Sequence, residues 1–311
     1  MALISKLRKC LPEINKDLRL IRKRRSQALV FLTHIETERI YAHFLRLKNT
    51  TRGLLDVFLC VHEPTPHVDS AIRLRADFRI SSRDEEQILP KRFAEKLERG
   101  GTITPGFPDL AYMPAIPSPR LSAYGHIWLM EYDVDYSGDW KDFFTPLVAR
   151  QADLLATTIL PRNLCPGWTH WRWVGVPIEV SPNHHICSFN PIVRFSRPML
   201  NCYLESMQSG KWRGHTAALY ATLASYNSLL IEDIGGLGPF TPPSMRALNY
   251  FNKVSANDIA MSPGTFVYAP VSHFDYFYEA PDHFSEHGYL HHPVKVAAKL
   301  STVAVKGALV D

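Results

Sequence analysis

Ala28 to Thr33 is an unbroken apolar run, and the residues after it, Glu36 to Lys48, place apolar side chains at helical intervals. This pattern predicts strand, turn, helix. Leu54 to Val61 is a second buried strand, which closes in His62-Glu63-Pro64, where proline turns the chain. Two such strands joined by a helix form a parallel pair with a right-handed crossover. Ala76 to Ile80 predicts a third, shorter strand and Asp84 to Arg99 a helix. Residues 101 to 120 hold seven glycines and prolines, from Gly101 to Pro119, and predict a long ordered loop over the site. Tyr124 to Asp133 is a buried strand running into acids, and Trp140 to Thr157 predicts a helix interrupted near Pro146.

The second half alternates less cleanly. Strands are expected at Ile186 to Phe195, Ser228 to Ile234 and Thr265 to Val271, and helices at Arg197 to Gln208 and Gly214 to Tyr226. No internal repeat and no linker interrupts the pattern, so residues 26 to 311 read as one domain. The expected class is α/β: a Rossmann-type, mixed, mostly parallel sheet flanked by helices, with an irregular second half.

Composition narrows the picture. A 311-residue chain with 46% hydrophobic and 21% charged residues carries enough apolar material for a sizeable core, which sets disorder aside. Its longest apolar runs fall far short of the roughly 18 to 20 residues that cross a bilayer. The opening Met1-Ala2-Leu3-Ile4-Ser5-Lys6 turns basic too soon for a signal peptide, so a cytoplasmic place is expected. Five scattered cysteines without a Cys-x-x-Cys pair read as reduced thiols, with Cys60 and Cys187 as small buried hydrophobes.

The net charge of +5 is uneven. Residues 1 to 25 hold nine Lys or Arg against Glu13 and Asp17, which is +7, and the rest carries −2. With Leu3, Ile4, Leu7, Leu11, Ile14, Leu18 and Ile21 near helical spacing, this segment fits either a peripheral contact with an anionic inner membrane leaflet or a solvated helix packed on the body. Basic residues confined to one terminus without an aromatic platform argue against nucleic acid.

In open α/β sheets ligands bind beyond the carboxyl ends of the strands. Glu131, Asp133 and Asp135 stand there, and if the strand continues, alternation puts all three on one side. Converging carboxylates call for a cation, and Mg²⁺ or Mn²⁺ held with substrate phosphates suits a nucleotide diphosphate. The plainer alternative is a surface turn with solvated acids.

A hydrophobic strand ending in acid-x-acid resembles the diphosphate site of nucleotide-sugar glycosyltransferases of the A-type (GT-A) fold. Further segments resemble the core-2/I-branching N-acetylglucosaminyltransferases and related bacterial and fungal proteins: Phe31-Leu32-Thr33-His34, Ala152 to Thr157, Trp168-Thr169-His170-Trp171, Pro191 to Ser196, Leu219 to Leu223, Ile231 to Gly236 and His291-His292-Pro293-Val294-Lys295. The resemblance implies a donor site in which Glu131 and Asp133 hold metal or ribose and diphosphate, His292 is a third metal ligand or a diphosphate contact, and Lys295 neutralises phosphate; Asp135, from the same acid cluster, is a further expected metal ligand. Some members of the family work without metal, through basic residues alone. Thr33, His34, His62 and Glu63, at the ends of the first two strands, would flank the nucleotide. The implied partners are a nucleotide-sugar donor and a glycan or lipid-linked acceptor.

Glycosyl transfer with inversion also needs a base for the acceptor hydroxyl. The family carries Asp-Glu before the helix that here begins Gly214-His215-Thr216-Ala217, and Ala217 cannot take a proton. His215 is the nearest substitute, or else a helix cap, and Glu232 and Asp233 come next. Two other readings stand beside transfer: a nucleotide-sugar-binding or scaffold protein that has lost its base, and a metal-dependent phosphoesterase. Trp168 to Trp173 is either an acceptor shelf or buried core.

Overall fold

The computed structural model describes residues 27–63, 73–100, 107–252, 272–273 and 287–295. The basic N-terminal segment and the strand expected at Thr265 to Val271 lie outside them. Among the described residues the fold is α/β, built on a seven-stranded sheet. Its strands are β1 (Gln27–Thr33), β2 (Leu55–Glu63), β3 (Phe78–Ser81), β4 (His126–Glu131), β6 (Leu154–Pro161), β7 (Ile186–Ser196) and β8 (Ile231–Asp233), in the order β3-β2-β1-β4-β7-β6-β8. Only β7 runs against its neighbours, so the carboxyl ends of the other six strands share one edge with the start of β7. Two short strands outside the sheet, β5 (Asp135–Tyr136) and β10 (Leu290–His291), pair antiparallel, and two more, β9 (Ser272–His273) and β11 (Val294–Lys295), pair parallel.

Because both faces are covered, the strands are apolar nearly throughout, as expected of a parallel sheet. One face buries Ala28, Val30, Ile127, Leu129 and Phe195 under α5 (Arg197–Ser209) and α6 (Thr216–Tyr226). The other buries Leu29, Phe31, Val57, Leu59 and Trp128 under α1 (Glu38–Thr50) and α4 (Trp140–Val148). On α4 the rings of Trp140, Phe143 and Phe144 pack together, with Phe144 edge-on to Trp128 at 5.1 Å.

Several expectations need correction. The helix expected at Trp140 to Thr157 ends at Val148, and Leu154 onward is β6, buried through Leu160, which pairs with β7 along its length and with β8 at its start. The helix expected at Asp84 to Arg99 is two, α2 (Ser82–Ile88) and α3 (Pro90–Glu98), broken where Pro90 withholds an N–H and constrains Leu89. The described part of the Gly/Pro-rich segment forms short 3₁₀ turns that sink Phe107, Leu110, Tyr112 and Met113 into the core. No helix among the described residues is long and apolar enough to cross a membrane.

Candidate functional site

At the carboxyl edge, β4 stops at Glu131 instead of running on through the acids. The Tyr132 N–H donates to Leu32 O and the Val134 N–H to Glu131 O, so the chain turns between Glu131 and β5. The turn breaks the period-two alternation and parts the three acids: Glu131 and Asp133 stay together and Asp135 does not. Asp135 is fully buried and accepts from Arg46 and from the Tyr136 N–H (2.7 Å). Burial pushes its carboxyl up to about 6, against the pull of the Arg46 guanidinium. Asp135, expected as a metal ligand, thus stands outside the group that Glu131 and Asp133 form with His292, and its contacts anchor the turn. Arg46 also donates to His43 Nδ1 (3.1 Å), which leaves Nε2–H to donate to Val134 O (3.0 Å). Burial, with Arg46 adding, holds His43 well below the ordinary imidazole range, so it is the neutral ring this bridge requires. The pair His43 and Arg46, three apart on α1, was not anticipated; that spacing on one helix face was the available signal.

The distal segment 287–295 completes the site. Gly288 N–H donates to Ser137 O, Ser137 N–H to Tyr289 O, Leu290 N–H to Asn249 O and Val294 N–H to Asp133 O. This ladder sets His292 over the turn, its Nε2 3.7 Å from Asp133 and 3.9 Å from Glu131, with the Phe189 ring edge-on to it at 5.2 Å. The ligand atoms of Glu131, Asp133 and His292 all lie within 4.8 Å of one another. Asp133 and His292 are mostly shielded, while Glu131 keeps a third of its side chain open. Lys295 follows Val294 in β11, one strand step beyond the bond to Asp133.

The other expected site residues have partners of their own. Thr33 is buried with its hydroxyl donating to Ile35 O, and the His34 ring meets Tyr132 edge-on at 5.2 Å, beside Glu131. His62 contacts Glu85 (2.6 Å), which also accepts from Lys96, and Glu63 joins Glu36 on Arg79. Glu232 pairs with Arg150 beside Leu155, near the amino end of β6 and away from the carboxyl edge. Asp233 is buried and saturated: it accepts from the Gly235 and Gly236 N–H groups and from the Tyr250 hydroxyl. His215 caps α6, its Nδ1 accepting from the Ala217 N–H at 3.0 Å, and its ring lies 4.3 Å from that of His170. Burial, with His170, Arg92 and Arg99 adding, brings His215 down to about 3, so it is neutral at ordinary pH. In the structure the three candidate bases are engaged as a helix cap, a half-buried ion pair and a buried turn anchor. In the aromatic segment, Trp171 is buried, and Trp173 is half exposed between the guanidinium groups of Arg99 and Arg172.

No protein-family model matches the chain, and no curated protein matches it in sequence.

Proposed function

We propose that this chain transfers a sugar from a nucleotide-diphosphate donor to a hydroxyl acceptor, with Glu131, Asp133 and His292 holding a divalent cation against the diphosphate. One observation carries the reading: two carboxylates from the middle of the chain and an imidazole some 160 residues later converge at the carboxyl edge of a mostly parallel sheet.

The donor set fits a small hard cation. With metal–ligand distances of about 2.1 Å, neighbouring ligand atoms of an octahedral ion stand about 3 Å apart and opposed ones about 4.2 Å. Separations of 3.7 and 3.9 Å from His292 to the two acids fall between these limits and exceed a hydrogen bond. Carboxylates suit Mg²⁺ and Mn²⁺, and the imidazole tips the set toward Mn²⁺. Such an ion supplies charge neutralisation for the departing diphosphate. The protein's own part is positional: Arg46, His43 and Asp135 fix the turn that carries Asp133, and the 287–295 ladder fixes His292. His34, beside Tyr132, borders the same edge on the β1 side, where the nucleotide is expected. In the reaction the bond from the anomeric carbon to the diphosphate oxygen breaks, that oxygen keeps the electron pair and leaves with the nucleoside diphosphate, the acceptor oxygen takes its place, and the hydroxyl proton passes to solvent water.

Two-metal phosphoester hydrolysis is the weaker alternative, because among the described residues only this one group of three candidate ligands occurs. The +7 tail supports a peripheral place on an anionic cytoplasmic leaflet, where a lipid-linked acceptor resides. The test is turnover of a panel of uridine and guanosine diphosphate sugars with Mn²⁺ or EDTA. The reading predicts release of nucleoside diphosphate from one of them, suppressed by EDTA. Phosphomonoester hydrolysis with every sugar nucleotide left intact would contradict it.

A further inference from the structure

One strand over from His292, the edge of the sheet is irregular. The pairing of β6 with β7 shifts register on both sides of Thr157, and Thr158 takes φ +49°. For a β-branched residue this left-handed backbone is strained, and it persists only where the surroundings over-determine it. Here they do. The Thr158 N–H donates to the Tyr250 hydroxyl, that hydroxyl donates to Asp233, and the Thr158 hydroxyl donates to Asn252 (2.9 Å). The result is a cavity of about 70 Å³ at the carboxyl edge, lined by Thr158, Leu160, Leu237, Tyr250, Phe251 and Asn252.

The cavity has a definite chemical character. Its walls combine two aromatic rings and two leucines with the hydroxyl-bearing Thr158 and Tyr250 and one amide, and none of its lining residues is charged. Asp233, the nearest acid, lies behind Tyr250 with its oxygens engaged. About 10–15 Å³ of such space suffices for one water, so the cavity admits a small polar–apolar group, such as the hydroxymethyl edge of a sugar. It also lies at a suitable distance. β4, β7 and β6 are adjacent, so two strand spacings of about 4.8 Å separate the line of β4 from that of β6. Thr157 donates to Phe189 O, and the Phe189 ring rests on His292, which links the two places directly.

We infer that this cavity is a subsite for the edge of a neutral saccharide ring. The assignment rests on the proposed donor site, since a ring attached to a diphosphate at Glu131, Asp133 and His292, or an acceptor ring facing it, reaches this position. Leu237 sits half exposed on a Gly-Gly-Leu-Gly turn, so Leu237→Trp fills the cavity from outside while the buried frame is kept.

The test is saturation-transfer NMR with methyl glucoside, comparing wild type, Leu237→Trp and Asn252→Ala, each shown by circular dichroism to be folded. Half-saturation is expected to rise at least tenfold in both variants, and methyl glucuronide is expected to give no signal. Displacement of methyl glucoside by a glucose nucleotide assigns the subsite to the donor, and persistence assigns it to the acceptor. Absence of a wild-type signal, equal signals in the Leu237→Trp variant, or equal binding of the glucuronide overturns the inference. Calorimetry with uridine and guanosine diphosphates and Mn²⁺ separates the two readings. Diphosphate binding without glucoside binding defeats the subsite alone, and glucoside binding without diphosphate binding defeats the donor site and keeps a saccharide-binding cavity.

Discussion

Asp133 and Asp135 are two positions apart and have opposite surroundings. Asp133 faces Glu131 and His292, whereas Asp135 is enclosed against Arg46. Asp135→Asn is expected to leave Mn²⁺ affinity within about threefold while lowering stability by about 1–3 kcal/mol, since a buried charged hydrogen bond becomes a neutral one; calorimetry and urea unfolding read the two effects. A larger loss of metal affinity than in Asp133→Asn would reverse the assignment. His215 offers a similar separation of roles. As a cap, it is replaceable by Ser, so His215→Ser should retain stability within about 0.5 kcal/mol, whereas His215→Ala should lose about 1–2 kcal/mol. A fully stable His215→Ser protein with turnover reduced more than tenfold would return the imidazole to the chemistry.

The junction of α3, α6 and the turn Thr169–Trp173 depends on Gly214. It sits at φ +125°, its N–H donates to Glu95, its carbonyl accepts from Arg92, and a Cβ there would meet the Trp173 carbonyl oxygen at 2.8 Å. Gly214→Ala should therefore cost about 1–3 kcal/mol through backbone strain, seen as a lower thermal midpoint with secondary structure retained. Elements with one dominant signal were legible in the sequence. β1, β2 and β4 are dominated by apolar runs, and α1 and α6 begin at the side-chain caps Thr37 and His215. β6 was hidden because Leu154 to Ile159 is buried on both faces, and a short run of that kind has no period to separate strand from helix. The break between α2 and α3 was legible in Leu89-Pro90 and passed over.

Taken whole, the molecule keeps many imidazoles uncharged. Among the described residues, burial lowers His43, His126, His170, His185 and His215 from the ordinary 6.5, His126 to about 4 and His215 to about 3. The unfolded chain binds these protons where the folded chain does not, so stability falls as pH drops below about 6.5. Asp135, raised by burial to about 6, and Asp233, also raised by burial, act in the opposite sense, but two carboxyls do not offset five imidazoles. The thermal midpoint should fall by at least about 5 °C between pH 7 and pH 5, and a flat profile would contradict this burial pattern. The site itself was half legible. Glu131 and Asp133 are marked by a strand running into acids, but where that strand turns is decided by Arg46 and His43 on a helix some 90 residues earlier. His292 is carried to the turn by backbone bonds to Ser137, Asn249 and Asp133, and no local pattern encodes such a ladder.

The central claim is that Glu131, Asp133 and His292 act together as a cation site for a nucleoside diphosphate. Calorimetric titration of uridine and guanosine diphosphates into the wild-type protein and Asp133→Asn, each with Mn²⁺ and with EDTA, tests it most directly. The account predicts wild-type binding of one diphosphate that needs Mn²⁺ and is lost in Asp133→Asn while the variant stays folded. Equal binding by the two proteins, or no diphosphate binding by the wild type, would contradict it.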